Sequence, residues 1–158
     1  MIAPEFIDAD LLDRVSTAAR ASPRLRKNHN FHAGESACCH RLLNAIEPGS
    51  YVVPHRHLDP NKDETFVVLR GRFGLILFDE NGTVRHEMVL DSAGPRFGIT
   101  IPHGTFHSIV SLAPGSVFFE SKGGPYAPLT PEELAGWAPA EQDEGAAPYL
   151  ARLEGLFG

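Results

Sequence analysis

Residues 49–71 read GSYVVPHRHLDPNKDETFVVLRG, and the fold follows from how this stretch is parsed. YVVPHRH is apolar up to a pair of histidines one residue apart. In an extended chain successive side chains alternate faces, so the imidazoles of His55 and His57 point the same way, with Tyr51 and Val53 counted on that face and Val52, Pro54 and Arg56 on the other. LDPNKD is a polar turn, and Glu64 then heads a second apolar run in which Phe66 and Val68 share its face. A hairpin would return Glu64 beside the histidines.

Downstream, Pro102, Gly104 and His107 mark a sharp entry into the apolar run SIVSL, so a third imidazole can reach the same place. Three imidazoles and one carboxylate suit a divalent transition metal (Fe, Mn, Ni, Co or Zn), among which the donor list does not choose. Four protein ligands on an octahedral ion leave two positions for a substrate oxygen, water or dioxygen. Taken singly, a strand histidine or a strand-opening glutamate is more often solvated or a satisfied part of the core. Asp63 is a rival for the carboxylate position.

Outward from this stretch, the chain from 37 to 122 consists of short runs rich in Val, Ile, Leu and Phe separated by EPGS, DPNKD, DENG and APGS. Regularly spaced short strands with turn clusters imply a barrel or sandwich. Asn81-Gly82, between the runs 73–78 and 84–90, signals a hairpin and a local meander, because both residues tolerate positive φ. At the N-terminus, Asp8 is placed to cap a helix with apolar positions Leu11, Leu12, Val15, Ala18 and Ala19, stopped by Ser22-Pro23. The segment 24–36, RLRKNHNFHAGES, reads as a loop or irregular strand that could cover a site. After Gly123-Gly124-Pro125, the Thr130-Pro131-Glu132-Glu133 capping box predicts a helix packed through Leu134 and Trp137, and PYLARLEGLFG, from Pro148, predicts a second with Leu150, Leu153, Leu156 and Phe157 on its apolar face.

The motifs resemble those of a known superfamily. Gly49-x5-His55-x-His57 followed by Glu64-x6-Gly71 looks like the first cupin motif, and Pro102-x-Gly104-x2-His107 resembles the second. The resemblance implies a mainly all-β fold, the cupin double-stranded β-helix or jelly-roll barrel, with short N- and C-terminal helices and with His55, His57, Glu64 and His107 as metal ligands. Two features depart from the pattern: six residues separate His57 from Glu64, and Ser111 stands where the second motif often has Asn. Glu64 keeps the family spacing to Gly71 and is preferred over Asp63. A narrower resemblance, running from Asn28 to FFESKGGPYAPLTPEELAGWAP, is to the WbuC family of cupin-fold metalloproteins, which implies a place in polysaccharide or O-antigen metabolism. Fold alone hosts many functions.

Other residues are candidates for chemistry. Along VFFESKGGPY, Phe118, Glu120 and Lys122 share one face; if it looks inward, Glu120 and Lys122 supply an acid/base pair or a carboxylate-binding cation, and if not they are solvated. Arg26, Asn28 and Asn30, with His29 and His32, could grip a hydroxylated or anionic substrate or form a plain polar loop. Tyr126, after a rigid turn, could present its hydroxyl at the barrel mouth or simply pack. Arg56 is expected to brace the exterior, His103 to lie at the surface, and His40 and His86 receive no role.

The 158 residues, 42% of them hydrophobic, suit one domain: 1–36 a helix and polar loop, 37–122 the barrel core and 123–158 a helical tail. A net charge of -6 argues against nucleic acid and anionic membrane as partners. MIAPEFIDADLL has neither a basic leader nor a long apolar stretch, so a cytoplasmic protein with a small-molecule substrate is expected, and the apolar tail allows a homodimer. Adjacent Cys38 and Cys39 are poorly spaced for a disulfide and read as ordinary strand residues. Three functions stay open: an isomerase, epimerase or lyase acting on a sugar or nucleotide-sugar, an Fe(II)-dependent dioxygenase, and a non-catalytic metal-dependent sugar-binding module.

Overall fold

A computed structural model describes residues 4–158; the first three residues of the MIAPEFIDADLL segment lie outside the described residues. The elements in chain order are α1 (Ala9–Ala21), β1 (Arg26–Asn30), β2 (Cys39–Ile46), β3 (Glu64–Arg70), β4 (Arg72–Phe78), β5 (Val84–Asp91), β6 (Gly98–Ile101), β7 (Phe106–Ser111), β8 (Ser116–Gly123) and α2 (Ala146–Glu154), followed by a 3-10 turn over Gly155–Phe157. The strands form two antiparallel sheets, one ordered β1-β2-β8-β3-β6 and the other β5-β4-β7.

The period-2 alternation of the strands explains why these sheets face each other. Phe66 and Val68 of β3, Phe73 and Leu75 of β4, Leu90 of β5, Ile101 of β6, Ile109 of β7 and Phe118 of β8 fill the space between them. The opposite face of β4, Ile76 and Phe78, is covered by the C-terminal segment through Trp137, Ala146, Leu150 and Leu153. The outer face of the larger sheet, Leu43, Ala45, Val117 and Phe119, is covered by α1. Asp8 caps α1 as expected, accepting from the Leu11 amide at 2.9 Å, and Leu11, Leu12, Val15 and Ala19 are buried. Ala18 is exposed and Ser16 takes its place in the buried stripe.

Several expectations are corrected. The 24–36 segment contains a regular strand, because Arg26–Asn30 pairs along its whole length with Asn30's partner Leu42 through to Ile46. The β4–β5 hairpin forms, but Gly82 alone takes positive φ (83°), and the turn is organised by Asp79, whose carboxylate accepts from the Asn81 and Thr83 amides. No meander follows: β3 lies in one sheet and β4 in the other, and β5 ends its sheet while β6 crosses back to pair with β3. Thr130–Glu133 forms a turn and no helix. Glu133 does reach back to the Thr130 amide (2.9 Å), but the next peptide groups bond to the His55 segment: Glu133 O accepts from Arg56 N at 2.9 Å and Ala135 N donates to Pro54 O at 3.1 Å. Leu134 is therefore exposed, and Trp137 alone packs down, against Phe78 and Phe106. In the last helix Leu150 and Leu153 are buried, Leu156 is exposed, and Phe157 lies over Gly74.

Cys38 and Cys39 are free and exposed, Cys39 opening β2. No helix among the described residues is long and apolar enough to cross a membrane.

Candidate functional site

The two motif histidines do not sit on a regular strand. Residues 51–58 run as extended chain, held by a bridge in which His55 N donates to His107 O (3.1 Å) and His107 N to His55 O (2.9 Å). The expected alternation breaks at buried Pro54. Tyr51 and Val53 pack on the outer cluster with the C-terminal segment, whereas Val52 joins the inner core and His55 faces the inner cavity. Proline cannot donate to a ladder, so parity is free to shift there. Arg56 projects outward as expected, its guanidinium 4.2 Å from the Phe106 ring centre and bonded to Glu80.

Glu64, at the head of β3, is buried and is met by two of the histidines, with the third beside them. His57 Nε2 is 3.1 Å from its Oε1, His107 Nε2 is 2.9 Å from its Oε2, and the His55 and His107 rings lie 4.6 Å apart. One donor atom each from His55, His57 and Glu64 falls within 4.8 Å of the others. Asp63 is exposed and engaged elsewhere, accepting from both the amide and Nδ1 of His103 at 2.8 Å.

The protonation pattern shows what this cluster can hold. His55 Nδ1 lies 2.9 Å from Val53 O and His107 Nδ1 3.0 Å from Thr105 O. A carbonyl only accepts, so both Nδ1 atoms carry a proton, and Nε2 is the atom through which each ring, when neutral, offers a lone pair toward the centre. Glu64 Oε2 is fully buried and receives no hydrogen bond of good geometry, although His107 Nε2 is within ion-pair distance. With the rings neutral, imidazole and carboxylate lone pairs would face one another, a donor set that suits a divalent cation of borderline softness. Burial and the neighbouring His107 pull His55 down to about 3, so its ring is neutral even though one edge stays accessible. Burial would raise Glu64, but His107, His57 and Lys122 together hold it well below the usual carboxylate range. Burial likewise lowers His107, and the Glu64 carboxylate more than offsets this.

The inward face of β8 resolves the open orientation: Phe118, Glu120 and Lys122 line a cavity of about 160 Å³ that also contains His55, Glu64 and His107. Lys122 Nζ lies 3.2 Å from Glu64 Oε1 and 2.8 Å from Glu120 Oε1. Burial pushes Glu120 above its ordinary value against the opposing charge of Lys122, whereas Lys122, despite burial, is held above its own by Glu120 and Glu64. Asn44 Nδ2 donates to Glu120 Oε2 at 2.7 Å. Val52, Phe66, Ile109 and Phe118 make the apolar wall.

Arg26 reaches this cavity, its Nη1 donating to Ser50 Oγ and Tyr51 O. Asn28 and Asn30 are exposed and bonded to each other, farther out along β1. Tyr126 is 56% exposed at the rim of a neighbouring cavity shared with His40, His57 and Lys122. His86 and His103 are exposed. Two residues without an expected role belong to the site: Asn44, and buried His40, which pairs across the sheet with Lys122 as Lys122 pairs with Glu64. Their inward direction depends on cross-strand register, for which no motif spacing stands proxy.

The fold has relatives of known structure. KdgF from Halomonas sp. superposes with a TM-score of 0.52 at 20% identity, over 67% of this chain and 84% of that one. The conserved SPY1581 protein of unknown function from Streptococcus pyogenes superposes with a TM-score of 0.53 at 9% identity, over 80% and 93%. Oxalate oxidase in complex with glycolate gives 0.51 at 14% identity, over 67% of this chain and 54% of the oxidase. At such identities the likeness is one of fold, and that fold is the cupin double-stranded β-helix. No curated protein matches the sequence. A family model described as a domain of unknown function, DUF6016, matches residues 7–90, a stretch that runs from α1 through Arg26, His55, His57 and Glu64 to β5, and the chain belongs to that family.

Proposed function

We propose that this protein binds one divalent transition-metal ion (Fe, Mn, Ni, Co or Zn) through His55, His57, Glu64 and His107, and that it is an enzyme acting at that site on a small anionic, hydroxylated substrate of the sugar or nucleotide-sugar kind. The observation that carries this reading is the buried Glu64 carboxylate facing imidazole nitrogens whose Nδ1 protons are already committed to Val53 O and Thr105 O. When bound, such an ion supplies Lewis acidity toward a substrate oxygen.

The chain's own residues supply the rest. Lys122, kept charged by two carboxylates, is placed to orient an anionic or carbonyl group. Glu120, whose burial favours the protonated form, is the group able to move a proton within the cavity, and Asn44 fixes its orientation through Oε2. The apolar wall of Phe66, Ile109 and Phe118 limits competing water. Proton movement next to a carbonyl is isomerase, epimerase or lyase chemistry. The WbuC-like run from Asn28 to the C-terminal tail supports a setting in polysaccharide metabolism.

Elemental analysis of the protein as purified, with turnover of a panel of sugars and nucleotide-sugars measured with and without chelator, tests the reading. About one equivalent of metal and chelator-sensitive turnover are expected. Metal-free protein, or turnover indifferent to chelator, would overturn it. Turnover that stops in the absence of dioxygen would replace isomerase or lyase chemistry by that of an oxygenase, and ligand-induced thermal stabilisation without product would mark a binding module.

A further inference from the structure

A third cavity, of about 280 Å³, opens at the outer edge of the larger sheet, with Asn28, Asn30, Glu35, His40, Lys122 and Tyr126 in its lining. Cross-strand register puts the strand residues among them on the inward face. Asn28 stands opposite Asn44, Asn30 opposite Leu42 and His40 opposite Lys122, while the alternate residues Lys27 and His29 stand opposite Ala45 and Leu43, which pack under α1. β1 is the edge strand and adds nothing to the core between the sheets, so its inward amides stay exposed. His40, Lys122 and Tyr126 also line the cavity of about 210 Å³ bordered by His55 and His57, and Lys122 lines the inner cavity as well. The three cavities meet at Lys122.

The outer cleft offers uncommitted donors and acceptors without surplus positive charge. Asn28 Nδ2 donates to Asn30 Oδ1 at 2.8 Å, which leaves Asn28 Oδ1 to accept and Asn30 Nδ2 to donate. Glu35 and Tyr126 are tied through their main chains, Tyr126 N donating to Glu35 O at 2.7 Å, so the carboxylate and the phenol hydroxyl are free among the described residues. His40 Nε2 lies 3.2 Å from the same carbonyl, which leaves its Nδ1. The one lysine is already answered by Glu64 and Glu120, and Glu35 adds a negative charge, so an anion has nothing here to neutralise. A hydroxyl both donates and accepts, and neighbouring hydroxyls on a ring match such a mixture of amide, carboxylate and phenol. The exposed Tyr126 ring gives an apolar surface for the C–H face of that ring.

We infer that this cleft holds an uncharged, polyhydroxylated ring, a neutral glycosyl unit, as the far end of a ligand whose reacting end reaches His55, His57 and Glu64 past Lys122. The outer two cavities, joined at His40, Lys122 and Tyr126, provide room on the scale of small-molecule sites, about 300–1,000 Å³. The inference rests on the proposed function for the reacting end and adds that the remainder recognised by β1 is neutral.

Nuclear magnetic resonance of chelator-stripped protein tests the cleft apart from any metal, with D-glucose, D-galactose, D-mannose and N-acetyl-D-glucosamine as probes and acetate and inorganic phosphate as charged controls. At least one sugar is expected to shift the side-chain amide signals of Asn28 and Asn30 saturably, with millimolar affinity, and neither anion to do so. The Asn28→Ala/Asn30→Ala double variant, followed through the backbone amides of Glu35 and Tyr126, should bind that sugar about tenfold more weakly, the scale of two lost hydrogen bonds. Lys27→Ala, on the opposite face of the same strand, should bind it as wild type does. No shift with any of these sugars, an anion as effective as the sugar, a double variant that binds as well as wild type, or an equally impaired Lys27 variant would each overturn the inference. Sugar binding by a protein that never holds metal would sink the proposed function and leave this cleft standing, whereas chelator-sensitive turnover with the Asn28 and Asn30 signals unmoved would do the reverse.

Discussion

The Glu133 carboxylate accepts a hydrogen bond from the Leu58 amide at 2.8 Å, joining the C-terminal turn to the segment that carries His55 and His57. Its other oxygen accepts from Thr130 N, its main-chain carbonyl from Arg56 N, and Ala135 N completes the clasp at Pro54 O. The histidine segment has no continuous ladder of its own, so this turn supplies much of the order that a neighbouring strand otherwise gives.

Glu133→Ala is therefore expected to lower metal affinity about tenfold, in the range for groups that orient ligands from behind, and to cost about 1–2 kcal/mol in denaturant unfolding. Glu133→Gln, which keeps one acceptor oxygen, should recover part of both. Metal competition with a chromophoric chelator measures the first quantity. An unchanged affinity in the alanine variant would separate the clasp from the metal centre.

Substitutions at the two neighbouring carboxylates should part company. Glu64→Gln and His57→Ala are expected to reduce metal content of the purified protein to below about a tenth of an equivalent, since each removes a donor from a four-donor set. Asp63→Asn, which alters only the exposed contact with His103, should retain wild-type content. Plasma emission analysis reads all three, and a metal-free Asp63 variant with a loaded Glu64 variant would reverse the assignment.

The Glu141 contacts with Arg24 and Arg26 predict an acid-dependent contribution to stability. Hydrogen bonding from Arg24, opposed by partial burial and aided by Arg26, holds the Glu141 carboxyl below its ordinary value. Its folded-state value is thus lower than its unfolded one, near 4.3, so the stabilisation is present above that pH and is lost as pH falls through the folded value. Urea unfolding at pH 7 and pH 3 should show a larger fall for wild type than for Glu141→Gln. Equal falls would contradict the pairing.

Gly74 on β4 leaves the space that the Phe157 ring occupies: a β-carbon there would overlap the ring. Gly74→Ala is expected to displace the terminal turn and cost about 1–3 kcal/mol, the usual scale for overpacking. Because the ring is what the new methyl meets, Phe157→Ala in the same background should reduce that cost. Thermal unfolding of the four proteins of the cycle measures it, and full additivity would show that ring and glycine do not communicate.

The amino-acid sequence by itself determined the parts that rest on local rules. Period-2 alternation in 64–68 and 73–78, the Asp8 cap, the Asn81-Gly82 turn region and the spacing of His55, His57, Glu64 and His107 are each legible because the chemistry lies within a few residues of chain. Local rules failed where distant segments competed for the same peptide groups. Thr130–Glu133 carries the signal of a helix start, yet Pro54, Arg56 and Leu58 offer its donors and acceptors better partners than a next helical turn does. The face of Tyr51 and Val53 was miscounted because a proline without an amide lets parity slip.

Only the tertiary structure decided which way β8 faces, and with it the chemistry beside the candidate ligands His55, His57, Glu64 and His107. Glu120 and Lys122 are compatible with either side of a strand until register sets Lys122 opposite both Glu64 and His40 and brings Asn44 to Glu120. Register is a relation between strands far apart in the chain, fixed by burying one apolar face of every strand at once. For that reason the candidate donor set follows from spacing along the chain, while the residues that surround it emerge only across it.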